Sequence, residues 1–225
     1  MNRHPLALVA ALFLAAPAFA LPVTIHNFQN GYATVNTVLN GNASALHTGT
    51  LMGEFNGGAS NSFLTYCNDL MQSFSWNVTY NDYQLVATGA AHGLTAIEAA
   101  SLGRLYTTAG TIDTLDKSVA FQLAVWELTH DNTPGNLYGG NFSITSGASV
   151  ASVNLAQSWL SAATSVATPN NFAVTRLYSP SAQDFLVVSP RVNGASSSAP
   201  EPAGFALAAV ALLALGITRP RGARP

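Results

Sequence analysis

Residues 116–130 read Asp-Lys-Ser-Val-Ala-Phe-Gln-Leu-Ala-Val-Trp-Glu-Leu-Thr-His. The run predicts a helix from Lys117 to about His130, capped by Asp116. It stops before Asn132-Thr133-Pro134-Gly135, because a residue preceding proline is biased away from helix. A helix apolar on most sides must be buried. Gln122 interrupts it. At about 100° per residue, Ser118, Gln122, Trp126 and Thr129 share one face. A buried amide without partners costs about 1–3 kcal/mol, so Gln122 needs something specific to face.

Outward from this helix, the chain changes character twice. Upstream lie β-branched and aromatic runs at Val23–Ile25, Tyr32–Val35, Thr50–Met52 and Ser62–Tyr66. Asn30-Gly31, Asn40-Gly41-Asn42 and Gly57-Gly58 punctuate them. Phe74 to Tyr80 alternates aromatic and apolar residues with polar ones and predicts a strand, pairing with Tyr83–Ala87 across Asn81-Asp82. Thr95-Ala96-Ile97-Glu98 has capping-box spacing and opens a helix to about Thr108, closed by Gly110. A third helix is expected from Val150 to Ala167, before Pro169. Strands return at Phe172–Tyr178 and Asp184–Val188. Strands, then helices, then strands predict an α+β body over residues 21–193: a β-sandwich or barrel-like sheet with an inserted helical lobe.

The two ends read as addresses. In residues 1–20 a short positive region (Arg3, His4) precedes an apolar run, and Ala18-Phe19-Ala20 gives a small-x-small cleavage pattern. A signal peptide, helical while present, is the expectation. After a small-residue linker, 194–199, comes Pro200-Glu201-Pro202. An apolar stretch to Thr218 and then Arg219, Arg221 and Arg224 complete the 200–225 tail, expected as a hydrophobic transmembrane helix with a positive stop. This order resembles the PEP-CTERM sorting signal of Gram-negative bacteria. The resemblance implies an exosortase-type membrane protease as partner and transient membrane contact through the tail. It also implies an inner-membrane intermediate, then delivery to the cell surface or extracellular matrix.

Only 8% of residues are charged. Four of the eight basic residues lie in the end segments, which leaves Arg104, Lys117, Arg176 and Arg191 in the body beside ten acids along the chain. Such a body has no footprint for nucleic acid. Lys117 is the only lysine.

Cys67 is the only cysteine, and exported proteins usually pair their cysteines. It is inert core filler, an interchain link or a residue kept for reactivity. It sits in Thr65-Tyr66-Cys67-Asn68-Asp69, and Gln122-Leu123-Ala124-Val125-Trp126 lies downstream. These two segments resemble the paired motifs of the bacterial Cys-Gln thioester domains of surface adhesins: an aromatic-Cys-x-Asp segment and a later Gln-x-Ala-apolar-Trp segment. Phe121 stands where members often carry Thr. The resemblance implies an internal thioester between Cys67 and Gln122. Tyr66, Asp69, Trp126, Thr129 and His130 form its expected environment, with Trp126 shielding the bond and His130 flanking it. The stored electrophile would react once with a partner amine or hydroxyl, on an unknown surface protein or exopolysaccharide. That is covalent adhesion rather than enzyme turnover, and it calls for no cofactor or metal.

Two other readings stand beside it. One is a non-reactive structural or carbohydrate-associated matrix protein. The other is a cysteine-dependent hydrolase, for which His130 is the histidine at hand. His26, His47 and His92 lack zinc-ligand spacing. No G-x-S-x-G, phosphate loop or dinucleotide fingerprint appears.

Overall fold

Antiparallel pairing of neighbouring segments builds the first third of the chain. The computed structural model describes residues 20–58, 61–131 and 133–191. The expected signal peptide, linker and sorting tail, with Pro200, Glu201, Pro202, Arg219, Arg221 and Arg224, lie outside the described residues. Among the described residues no helix is long and apolar enough to cross a membrane.

The elements run β1 (Leu21–Phe28), β2 (Ala33–Leu39), β3 (Asn42–Thr48), β4 (Leu51–Phe55), β5 (Ser62–Thr65) and β6 (Thr79–Val86). Then come α1 (Ala96–Ala109), α2 (Leu115–His130), β7 (Phe142–Ser146), α3 (Val150–Thr164), β8 (Phe172–Tyr178) and β9 (Phe185–Pro190). The fold is α+β, as the order of patterns predicts. Six antiparallel strands form one sheet in the order β5-β4-β1-β6-β8-β9. The chain just past β5 turns back onto β9 through an isolated bridge between Cys67 and Phe185. The Leu186 N–H donates to Tyr66 O (3.2 Å) and the Asn68 N–H to Asp184 O (2.8 Å). The sheet is thereby a nearly closed barrel, and Cys67 lies on its closing seam. A second sheet has the order β3-β2-β7.

Local chemistry explains most boundaries. Asn40 and Gly41 take φ of 49° and 83° between paired Leu39 and Asn42, the left-handed pair a two-residue hairpin requires. Thr95 caps α1 in a reciprocal box with Glu98, and Gly110 ends it at φ 61°. The cap of α2 is Thr114, whose side chain accepts from the Lys117 N–H, and not Asp116. Asp116 instead accepts from the hydroxyls of Ser149 and Ser152, tying the start of α2 to the N-terminus of α3. Those two bonds lower its carboxyl below the usual range. α3 ends at Thr164, a turn short of Ala167.

Residues 74–78 are not a strand, and no turn breaks Asn81-Asp82, because β6 runs straight through them. Asn77 sits at φ 60°, outside strand geometry. Phe74 and Trp76 do not alternate across a sheet. They meet edge to face, with centroids 4.8 Å apart, and reach Phe185 and Phe28 respectively. The sequence reading expects neither β3, which has a single β-branched residue, nor β7, which has only Ile144-Thr145.

The core gathers on α2. Every residue from Ser118 to Leu128 is buried, between α1 and α3 on one side and the smaller sheet on the other. Trp126, Phe121, Phe142, Phe185, Leu102 and Leu160 are its large members, each contributing about 1.5–3 kcal/mol by burial.

Candidate functional site

Gln122 is fully buried on the middle of α2. Its amide faces the backbone of Cys67, 55 residues earlier. The Cys67 N–H donates to Gln122 Oε1 at 2.9 Å, and Gln122 Nε2 donates to Cys67 O at 2.9 Å. The side-chain amide thus acts as one more strand unit, satisfying both backbone groups of Cys67 at the barrel seam. The pairing is local in neither sequence nor secondary structure. α2 must be packed against the closed seam for it to exist.

The thiol beside this ring is buried and unpaired in any disulfide. Its pKa is pushed up to about 12, first by burial and then by the negative charge of Asp69. At neutral pH it carries its proton. Tyr66 is pinned alongside: its hydroxyl accepts from Thr50 Oγ1 (2.8 Å), and its ring lies 4.4 Å from that of Phe121. Burial raises its phenol well above the usual range. Asp69 Oδ1 accepts from the Met71 N–H, and its backbone carbonyl accepts from Gln183 Nε2 (2.8 Å).

A cleft of about 290 Å³ opens at the seam, walled by Leu51, Cys67, Asp69, Phe74, Trp126 and Gln183 among others. Trp126 is 1% exposed, and its Nε1–H has no partner among the described residues. Cys67 thus meets Gln122 through its backbone and shares the cleft with Asp69 and Trp126, with Tyr66 beside it.

Thr129 does less than expected, whereas His130 flanks the Cys67 loop. The Thr129 hydroxyl is engaged by its own helix, donating to Val125 O at 2.9 Å. His130 Nε2 lies 2.7 Å from Asn68 O, so the ring buttresses the Cys67 loop rather than meeting the sulfur. Burial lowers its pKa, so the neutral ring donates from Nε2. Glu127 points away from the site. Its Oε1 accepts from the Gly135 and Asn136 N–H groups, holding the loop after α2.

The sequence did not flag Asn68, Gln183 and Phe185. Their roles arise from backbone contacts across the seam, and only the strand pattern at Asp184–Val188 hinted that something would pair there.

No family model matches the chain, and no curated protein matches it. Solved structures similar to it at low identity include two surface-protein domains. The N-terminal domain of the Streptococcus pyogenes pilus tip adhesin Cpa is 12% identical with a TM-score of 0.47, over 79% of this chain and 97% of that one. The N-terminal thioester domain of a Clostridium perfringens surface protein is 11% identical with a TM-score of 0.40, over 63% and 89%.

Proposed function

We propose that the body is an exported surface adhesion domain that joins Cys67 Sγ to Gln122 Cδ in an internal thioester and then acylates a partner once. The observation that carries this reading is the reciprocal, fully buried pairing of the Gln122 amide with the Cys67 backbone at 2.9 Å in both directions.

Formation is attack of the thiol sulfur on Gln122 Cδ. The sulfur–carbon bond forms, the carbon–nitrogen bond breaks, and the thiol proton leaves with the nitrogen as ammonia. An amide is a poor electrophile. The Cys67 N–H, already on Oε1, stabilises the negative charge that develops there. Holding sulfur and amide on rigid elements supplies an effective molarity on the order of 10⁵ M or more. Burial keeps the thiol protonated at neutral pH, so the attacking thiolate has to form within the step, its proton passing to the leaving nitrogen. In the second step a partner amine or hydroxyl bonds to Cδ, and Sγ leaves as the thiol. Trp126 and the apolar wall limit access of water. A body with a single lysine offers few amines of its own to react. The signal peptide and the Pro-Glu-Pro tail, acted on by an exosortase-type protease, would deliver this domain to the cell surface or matrix.

A second reading keeps the amide as a structural clip in a non-reactive matrix protein. It is favoured by the fact that both polar atoms of Gln122 are satisfied as they stand. Intact mass separates the two. Purified without amines or reductants, the chain should weigh one ammonia less than its Cys67→Ala variant after correction for the substitution. Incubation with methylamine should add one methylamine, at Gln122. Equal masses, with Cys67 alkylated in the unfolded chain, would establish the clip.

A further inference from the structure

Cys67 stands at the inner end of a groove whose outer part is aromatic. The cleft beside the thiol shares Phe28, His47 and Trp76 with a second hollow of about 510 Å³, walled further by Asn27, Tyr32 and Asn77. Two large rings there face solvent: Tyr32 is 48% exposed and Trp76 41%. Neither is free to swing. Tyr32 lies against His47 at 4.3 Å and Phe28 at 4.9 Å between centroids. Trp76 stands edge-on to Phe28 at 5.2 Å and Phe74 at 4.8 Å. The platform is set before any ligand arrives, which lowers the entropy lost on binding.

The polar groups around these rings are almost all neutral. Asn27 and Asn77 flank the outer hollow, and Gln72, Ser73 and Gln183 flank the inner one. Asp69 is the one carboxylate among the described residues lining either. At the inner end Trp126 walls the cleft.

The geometry points to a neutral saccharide chain as the ligand of this groove. A pyranose presents apolar C–H faces to stack on exposed rings and a rim of hydroxyls to meet amides. Asn77 Oδ1 already meets His26 Nδ1 and Gln183 Nε2 meets Asp69 O, but an acyl chain or apolar peptide would leave the Asn27 and Gln72 amides without partners. A lysine-rich segment would call for carboxylates along its path, and the groove has one. The chemical consequence rests on the thioester reading above, whereas the binding does not. A saccharide hydroxyl oxygen bonds to Gln122 Cδ, the Cδ–Sγ bond breaks, and the hydroxyl proton passes to Sγ. The products are an ester and a free Cys67 thiol.

The test uses the Cys67→Ala chain, which cannot form a thioester, so binding is read apart from bond formation. It is titrated with neutral gluco-, manno- and galacto-oligosaccharides and, separately, with an oligolysine peptide, following tryptophan fluorescence. At least one oligosaccharide should bind saturably. Tyr32→Ala and Trp76→Ala should each weaken it about tenfold, and Trp76→Phe, which keeps a ring, by less. Unchanged circular dichroism checks that each variant is folded. Three outcomes would overturn the assignment: no saccharide of the panel binding, binding indifferent to both ring deletions, or oligolysine binding that disappears in Asp69→Asn. The mass of the wild-type chain decides the thioester independently.

Discussion

The backbone of Cys67 and the side chain of Gln122 hold each other by two hydrogen bonds of 2.9 Å, one in each direction. Neither residue is satisfied without the other. Gln122→Ala leaves the Cys67 N–H and C=O buried and unpaired, and should destabilise the fold by about 1–3 kcal/mol in urea unfolding. Gln122→Glu keeps one acceptor for the N–H but sets a second oxygen against Cys67 O. Its carboxyl should titrate above the usual range, so the variant should regain stability as pH falls and the acid protonates. Equal loss at pH 4 and pH 7 would contradict that.

Wherever Cys67 is a free thiol, in chains that never formed the bond or were opened by methylamine, its reactivity should follow its raised pKa. Alkylation of the folded chain should climb with pH toward about 12. The same thiol in urea should be half-maximal near the ordinary value, about 8.5. The linkage has a definite sign. The folded pKa lies above the unfolded one, so the thiol's contribution to stability is complete below the unfolded value. It is lost as pH rises toward the folded one.

Glu127 is a buried acid with one oxygen holding two backbone N–H groups and the other, Oε2, without a partner among the described residues. Desolvation raises its pKa. Glu127→Gln retains the accepting oxygen and removes the buried charge. It should cost less than about 1 kcal/mol at pH 7, whereas Glu127→Ala should cost about 1–3 kcal/mol. Because the folded pKa of the acid is raised, wild type should gain on the Gln variant as pH drops through that range. Melting temperatures across pH measure this.

Gly103 lies in the interior of α1, where Gly→Ala ordinarily stabilises by about 1 kcal/mol. Here a Cβ would meet Phe172 O at 2.4 Å and Asn170 Oδ1 at 2.1 Å. Gly103→Ala should therefore destabilise, by about 1–3 kcal/mol, as α1 is forced off β8. A higher urea midpoint would show that the helix can move away at no cost.

That reversal at Gly103 shows what local pattern leaves out. The Thr95–Glu98 capping box, the Gly110 stop and the burial of α2 were readable because caps and apolar faces act over a turn or two of chain. Phe74–Tyr80 misled for the same reason. Its alternation fits a strand, yet Asn77 takes a left-handed conformation, and both large rings pack across the molecule. β3 was invisible because its mostly exposed residues carry no periodic signal.

By itself, the sequence determined the α+β order, the buried central helix and the isolation of Gln122 within it, since each follows from spacing along one segment. The resemblance of two short segments to thioester-domain motifs, and not any spacing, singled out Cys67 and Gln122 as a pair. Tertiary structure decided that the barrel closes at Cys67 and that the amide meets the backbone of that residue from 55 positions away. It set His130 beside the Cys67 loop through Asn68 O and turned the Thr129 hydroxyl back onto α2. It also built the aromatic groove from β1, the β1–β2 turn, β3 and the Phe74–Asn77 loop. Such contacts form only when the whole sheet has curled and the helices have docked on it, and no periodicity along a single segment encodes that distance.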